Sequence, residues 1–219
     1  MINFSLNNIK ERNLAKSKIH LLNDKENLLY SFKKTKTVFI HIPKTAGISL
    51  INAIYGDVKG GGHRSFYFYK YIFGAELKEF FSFSFVRNPY QRIYSAYNYL
   101  KSGGINLHDK KAFKMHLYKY KNFKDFILNG LNQELIKEII HFTPQSNFIC
   151  DSSDNILVDF VGKFENISED INRIENMMNL SLTLPYLNKS KSNNDIFDDE
   201  VRSKIFDVYK RDFKIFNYR

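Results

Sequence analysis

The 219-residue chain has no tryptophan, one cysteine and only four prolines. A lone cysteine, Cys150, excludes an intrachain disulfide framework and fits a reducing compartment, so the cytoplasm is the expected location. No apolar run approaches the ~18 residues that suggest a transmembrane helix. The N-terminal MINFSLNNIKERNLAKSK lacks the apolar centre of a secretory signal. Acidic residues are also scarce, 23 against 33 Lys and Arg, for a net charge of +10. That balance favours polyanions such as nucleotide phosphates, acidic glycans, nucleic acid or acidic lipid head groups, or else reflects solubility alone. What the chain does have is apolar and aromatic mass, 43% and 16%, which argues against disorder. Its length suits a single domain with a substantial core, and residues 36–219 read as that domain. Residues 1–35 read as an extension with a weak helical pattern across Ile9, Leu14, Ile19 and Leu22. They carry no evident chemistry, and would cover a sheet edge or hold a partner.

The chain is organised around Thr37-Val-Phe-Ile-His-Ile-Pro-Lys-Thr-Ala-Gly-Ile-Ser-Leu50. Its first part is apolar and β-prone, a short buried strand that Pro43 stops. From Ala46 the pattern turns helical, with Leu50, Ile51 and Ile54 on one face. A strand–turn–helix of this kind aims unbonded N–H groups and the positive end of a helix dipole at one place, where a phosphate fits. Lys44 adds a cation, Thr45 and Ser49 add hydroxyls, and Gly47 permits close approach. The alternative is a plain β-turn-α connection with a solvated lysine.

A second unit repeats the pattern. Phe81-Ser-Phe-Ser-Phe-Val-Arg87 reads as a strand ended by Asn88-Pro89, and Tyr90 to Leu100 as a helix with Pro89 at its first position. Arg87 then lies at the carboxyl end of a strand, where open α/β sheets bind ligands. Ser95 lies two helical turns on, within reach of the same anion. Two phosphate sites side by side suit a nucleotide phosphorylated at both ends of its ribose.

Here the chain resembles a known family. HIPKTAGISL is similar to the 5′-phosphosulfate loop, and FVRNPYQRIYSAY to the 3′-phosphate site, of sulfotransferases that use 3′-phosphoadenosine 5′-phosphosulfate (PAPS). The nearer branch is that of carbohydrate 2-O- and 6-O-sulfotransferases and bacterial relatives. The likeness extends weakly through QSNFIC, ILVDFVGKFENISED and LPYLNKSK. It implies an α/β, P-loop-like three-layer fold with a central parallel sheet. It implies donor contacts from Lys44, Thr45, Ala46, Gly47, Ile48 and Ser49, with Arg87 and Ser95 on the 3′-phosphate. A late loop that closes over the phosphates would contribute Lys189 and Ser190. Ile48 departs from the pattern, standing where relatives often carry Thr or Ser.

Three glycines precede His63 in a loop that can carry its imidazole to a ligand. On its own such a histidine is more often structural or exposed than catalytic. The resemblance places the general base there, with Lys44 neutralising the leaving group. His41 reads as a packed core residue, while His108, His116 and His141 remain rival bases. The stretch Lys101 to Lys121 is basic and aromatic. It reads equally as a solvated insertion or as a wall for an acidic, sugar-bearing acceptor. Its aromatic and basic residues also resemble a single-strand binder, although no nucleic-acid partner is expected.

Phe123–Leu131 and Glu134–Ile140 read as short helices. Phe148–Cys150 and Ile156–Glu165 read as strands, with Asp159 in mid-strand and structural. Its place after Ile-Leu-Val resembles the metal-holding strand of P-loop ATPases and GTPases, but G-x-x-x-x-G-K-[ST] is missing. Ser168 reads as the cap of a helix buried through Ile171, Ile174, Met177 and Met178. Asp198–Arg211 reads as the last helix, with Phe213, Ile215 and Phe216 packing the C-terminus onto the sheet. The sum is sulfuryl transfer from PAPS to a hydroxyl, less readily an amine, probed against two rivals: a kinase using ATP and Mg²⁺, or a non-enzymatic polyanion-binding module. No metal and no transmembrane segment are expected, and peripheral membrane contact stays open.

Overall fold

The computed structural model describes residues 2–178 and 196–219. In chain order the helices and strands are α1 (Ile2–Lys18), α2 (Leu28–Thr35), β1 (Thr37–Ile40), α3 (Gly47–Tyr55), α4 (Phe66–Phe73) and β2 (Phe81–Val86). Then follow α5 (Pro89–Lys101), α6 (Leu107–Ala112), α7 (Phe123–Asn129), α8 (Leu135–Glu138), α9 (Ser146–Ile149), β3 (Phe160–Lys163), α10 (Ile167–Met178) and α11 (Asp199–Ile215). The strands form one parallel sheet in the order β1-β2-β3, with Thr37 opposite Phe81 and Val86 opposite Lys163. The fold is therefore mixed α/β with a parallel sheet, as expected. β1 is buried throughout and β2 all but its first residue, because parallel strands are covered on both faces.

The chain divides into two compact units. The first takes everything up to Val86 and resumes at Gln145, so it holds the whole sheet. Its N-terminal helices are integral to it. Asn27 caps α2 by accepting from the Leu29 N–H at 3.1 Å, and α2 buries Leu28, Leu29 and Phe32. From α1, Glu11 accepts a hydrogen bond from the Ser65 hydroxyl at 3.2 Å, just before α4. Burial pushes the Glu11 carboxyl above its ordinary value, opposed only in part by the Ser65 N–H, Arg64 and the Ser65 hydroxyl.

Several expected elements differ in this unit. Phe148 and Ile149 lie in the single helical turn α9, not in a strand. Only Cys150 makes a bridge, antiparallel to Ile156. The Asp151 carboxylate closes the turn between them, accepting from the N–H groups of Ser153 and Asn155 at 2.8 and 2.9 Å. β3 is shorter than expected, and Asp159 precedes it. The Asp159 carboxylate accepts from the Ser82 N–H (2.8 Å) and hydroxyl (2.6 Å), so it splices the start of β3 to β2. That is a structural role, though not a mid-strand one. Ser168 is not a cap, since α10 already starts at Ile167. The buried Asp170 instead accepts from the Lys163 N–H at 2.7 Å and pairs with Arg173. Ile171 and Ile174 are buried, but Met177 is exposed, because the apolar face ends one turn early.

The second unit comprises Arg87–Pro144 and α11. Its aromatic core joins Tyr90, Ile93, Tyr97 and Leu100 of α5 to Phe123 and Phe126 of α7 and to Val201, Ile205 and Phe213 of α11. Phe213 is part of this core, and Phe216 is buried as well. The expected helix over 134–140 shrinks to α8, followed by the short 3₁₀ turn Ile140–Phe142. Three successive carbonyls at that turn are satisfied from other elements. Arg92 of α5 donates to His141 O and Thr143 O at 3.3 and 2.8 Å, and the Tyr209 hydroxyl of α11 donates to Phe142 O at 2.7 Å. Arg92 is fully buried and lies over the Tyr209 ring, so a charged side chain serves as an internal strut.

Candidate functional site

In the first unit, β1 ends at Ile40 and the chain turns through Pro43 to Ala46 into α3. Lys44 and Ala46 both adopt left-handed backbone, with φ of 71° and 65°. Non-glycine residues hold that conformation only where their surroundings impose it. One restraint is Thr45, fully buried, whose hydroxyl donates to Ile42 O at 2.9 Å. Its hydroxyl thus closes the turn, and what it can present outward is its N–H. Ala46 caps α3 without a side-chain hydrogen bond, so the first N–H groups of the helix lack the usual capping oxygen. They belong to Gly47, Ile48 and Ser49. Lys44 and Ser49 are half-buried beside them, and the Ile48 side chain is exposed. A left-handed turn leading into an uncapped helix N-terminus, next to a lysine, is a cradle for an anion.

His41 is more than packing. It is buried, its ring lies against Gly47, and a Cβ on Gly47 would overlap the imidazole. Its Nδ1 lies 3.0 Å from Gly61 O, and its own carbonyl lies 3.1 Å from His63 Nδ1. A carbonyl oxygen only accepts, so Nδ1–H donates in both histidines. In neutral His63 the lone pair therefore stands on Nε2, where a general base needs it. The two rings meet edge to face with centroids 4.2 Å apart. The His63 loop is thus tied to the residue three positions before Lys44. The structure brings together Lys44 to Ser49, the Gly60-Gly61-Gly62 loop and His63 around His41. No local signal in the sequence announced the part of His41; the nearest was Gly47, small where the ring must pass.

The second unit carries the other predicted contacts. Arg87 follows β2 directly and is 7% exposed. Asn88 caps α5, accepting from the Tyr90 N–H at 3.0 Å, with Pro89 at the first helical position. Ser95 is half-buried in mid-helix. Of the rival bases, His116 sits 3.5 Å from the Glu138 carboxylate and His141 is buried 3.9 Å from Asp109, while His108 is exposed. Lys189 and Ser190 lie outside the described residues. Among the described residues no three of His, Cys, Asp and Glu gather as a metal group.

Fold and site together define an α/β protein with a left-handed turn and an uncapped helix N-terminus after its first strand. The sequence profile of the sulfotransferase family matches residues 27–219, and the chain belongs to that family. It is 26% identical over 169 residues to carbohydrate sulfotransferase 11 of Rattus norvegicus, and equally to that of Mus musculus. Each match covers 65% of this chain and 48% of the relative, so the chain spans about half the length of these curated relatives. No solved structure gives a significant match.

Proposed function

We propose that this protein transfers a sulfuryl group from 3′-phosphoadenosine 5′-phosphosulfate to a hydroxyl of a carbohydrate, with His63 as general base. The observation that carries the reading is the His63 Nδ1 hydrogen bond to His41 O, which assigns the basic lone pair to Nε2 and tethers the base to the Lys44 loop. The acceptor oxygen attacks sulfur as Nε2 takes its proton. The bond from sulfur to the 5′-phosphate oxygen breaks, and adenosine 3′,5′-bisphosphate leaves. Lys44 and the N–H groups of Gly47 to Ser49 neutralise charge on the departing oxygen, so alignment and electrostatics supply most of the rate. Arg87 and Ser95 hold the 3′-phosphate and set donor identity. The donor has fewer charges to neutralise than a nucleoside triphosphate, so the reading asks for no metal. A carbohydrate acceptor is supported by the names of the relatives. The cytoplasm is the setting we assign, on the strength of the single cysteine. A kinase would want Asp159 on a metal, and that carboxylate is engaged by Ser82.

The test is a pair of substitutions. His63→Ala should leave nucleotide affinity nearly unchanged and cut turnover roughly 10²–10⁴-fold, the range of a general base. Lys44→Ala should damage both binding and turnover, since its cation meets donor and transition state alike. Near-normal turnover of the His63 variant on a sulfated product assay would place the base elsewhere.

A further inference from the structure

The basic stretch after α5 has an inverted outer face. α6 runs on through the π-helical turn Phe113–Leu117 to Tyr118, whose backbone is still right-handed helical (φ −55°, ψ −32°). On the inner side Leu117 and Asp109 are buried. Asp109, the one acid between residues 101 and 121, accepts from the Tyr99 hydroxyl at 2.6 Å and the Ile105 N–H at 3.1 Å. On the outer side Leu107, Met115 and Tyr118 are 72%, 72% and 74% exposed. Lys110, Lys111 and Lys114 are exposed among them. Positions 107, 111, 114, 115 and 118 fall on one helical face. A solvated helix face normally collects polar groups; this helix turns its acid inward and exposes Leu107, Met115 and Tyr118.

We propose that this face docks on the surface of an anionic lipid bilayer. Leu107 and Met115 enter the boundary between head groups and acyl chains. Tyr118 sits at head-group level, as amphipathic rings do, and the lysines extend their stems to reach phosphate. A sugar would find little on two aliphatic side chains that offer it no hydrogen bond. A second copy of the chain, meeting this face across a two-fold axis, would set its own lysines against these. The bilayer answers the apolar groups and the charge together. This inference is independent of the reaction proposed above.

The full chain can be tested with vesicles of phosphatidylcholine, alone and with one part in three phosphatidylserine. Because the protein has no tryptophan, a Tyr118→Trp variant gives a single reporter at the centre of the face. Its emission should shift to the blue with the anionic vesicles and much less with the neutral ones. Each lysine brought to such a surface strengthens binding roughly fivefold, so replacing Lys110, Lys111 and Lys114 together by Ser should weaken co-sedimentation about a hundredfold. Leu107→Ser with Met115→Ser should weaken it as well while leaving thermal stability unchanged. Unaltered emission with anionic vesicles overturns the proposal. So does a sulfated oligosaccharide that shifts the emission where vesicles do not, which would make the face an acceptor wall. A concentration-dependent dimer lost in the Leu107/Met115 variant would overturn it too.

Discussion

At the scale of single residues, the cradle depends on a missing side chain. Gly47 lets the His41 ring approach the start of α3, and that ring anchors Gly61 while the His41 carbonyl anchors His63. Gly47→Ala should therefore destabilise the protein by about 1–3 kcal/mol, the scale of overpacking, measured by urea denaturation. It should also lower turnover by more than the lost folded fraction explains, because a displaced His41 would carry His63 with it. Arg87 tests the other half of donor recognition. Arg87→Ala should weaken adenosine 3′,5′-bisphosphate binding by roughly 1.5–3 kcal/mol, as for a charge-assisted hydrogen bond, and change 5′-AMP binding much less. Equal losses in calorimetric titrations of both ligands would show that Arg87 does not read the 3′-phosphate.

At the scale of elements, α1 reaches the loop after His63 through Glu11. A carboxyl whose pKa is raised on folding binds its proton more tightly in the folded state. Its contribution is favourable below the ordinary carboxylate pKa and is lost as pH rises through the raised folded value. Glu11→Gln keeps an acceptor for Ser65 and removes this titration. The variant should be more stable than the parent at neutral pH and indistinguishable from it in acid, as read from chemical denaturation at both. A constant offset at all pH values would count against the buried-carboxyl account. Such long-range partners also mark where sequence reading stopped. The two strand–turn–helix units were legible because apolar runs end at Pro43 and at Asn88-Pro89 and a helical apolar pattern follows each. Phe148–Cys150 was not, because a run of three apolar residues fits a strand or a buried helical turn alike. Ser168 looked like a cap because its acids follow at the right spacing, but Asp170 turns back to Lys163 instead. Arg92 had no local signal at all: two carbonyls, 49 and 51 residues further along the chain, receive its guanidinium and hold it inside.

At the scale of the whole molecule, a net charge of +10 favours approach of an anionic nucleotide such as the donor proposed above. Adenosine 3′,5′-bisphosphate at a hundred times its Kd should raise stability by about 2.7 kcal/mol, read as a thermal shift. ADP with Mg²⁺ should give a distinctly smaller shift, and activity should survive EDTA. A strict Mg²⁺ requirement together with ATP use would return the kinase reading to the front.

The division into two units, each made of separated segments, also bears on how the chain is made. β2 is the middle strand of the sheet, yet its partner β3 follows only after the whole of Arg87–Pro144. At the ribosome's 5–20 residues per second, the interval is on the order of 4–15 s. The second unit cannot close meanwhile, because α11 comes later still. Throughout that interval the nascent chain offers one unpaired strand edge, the backbone of Phe83 to Val86 that β3 later pairs, to whatever it meets first.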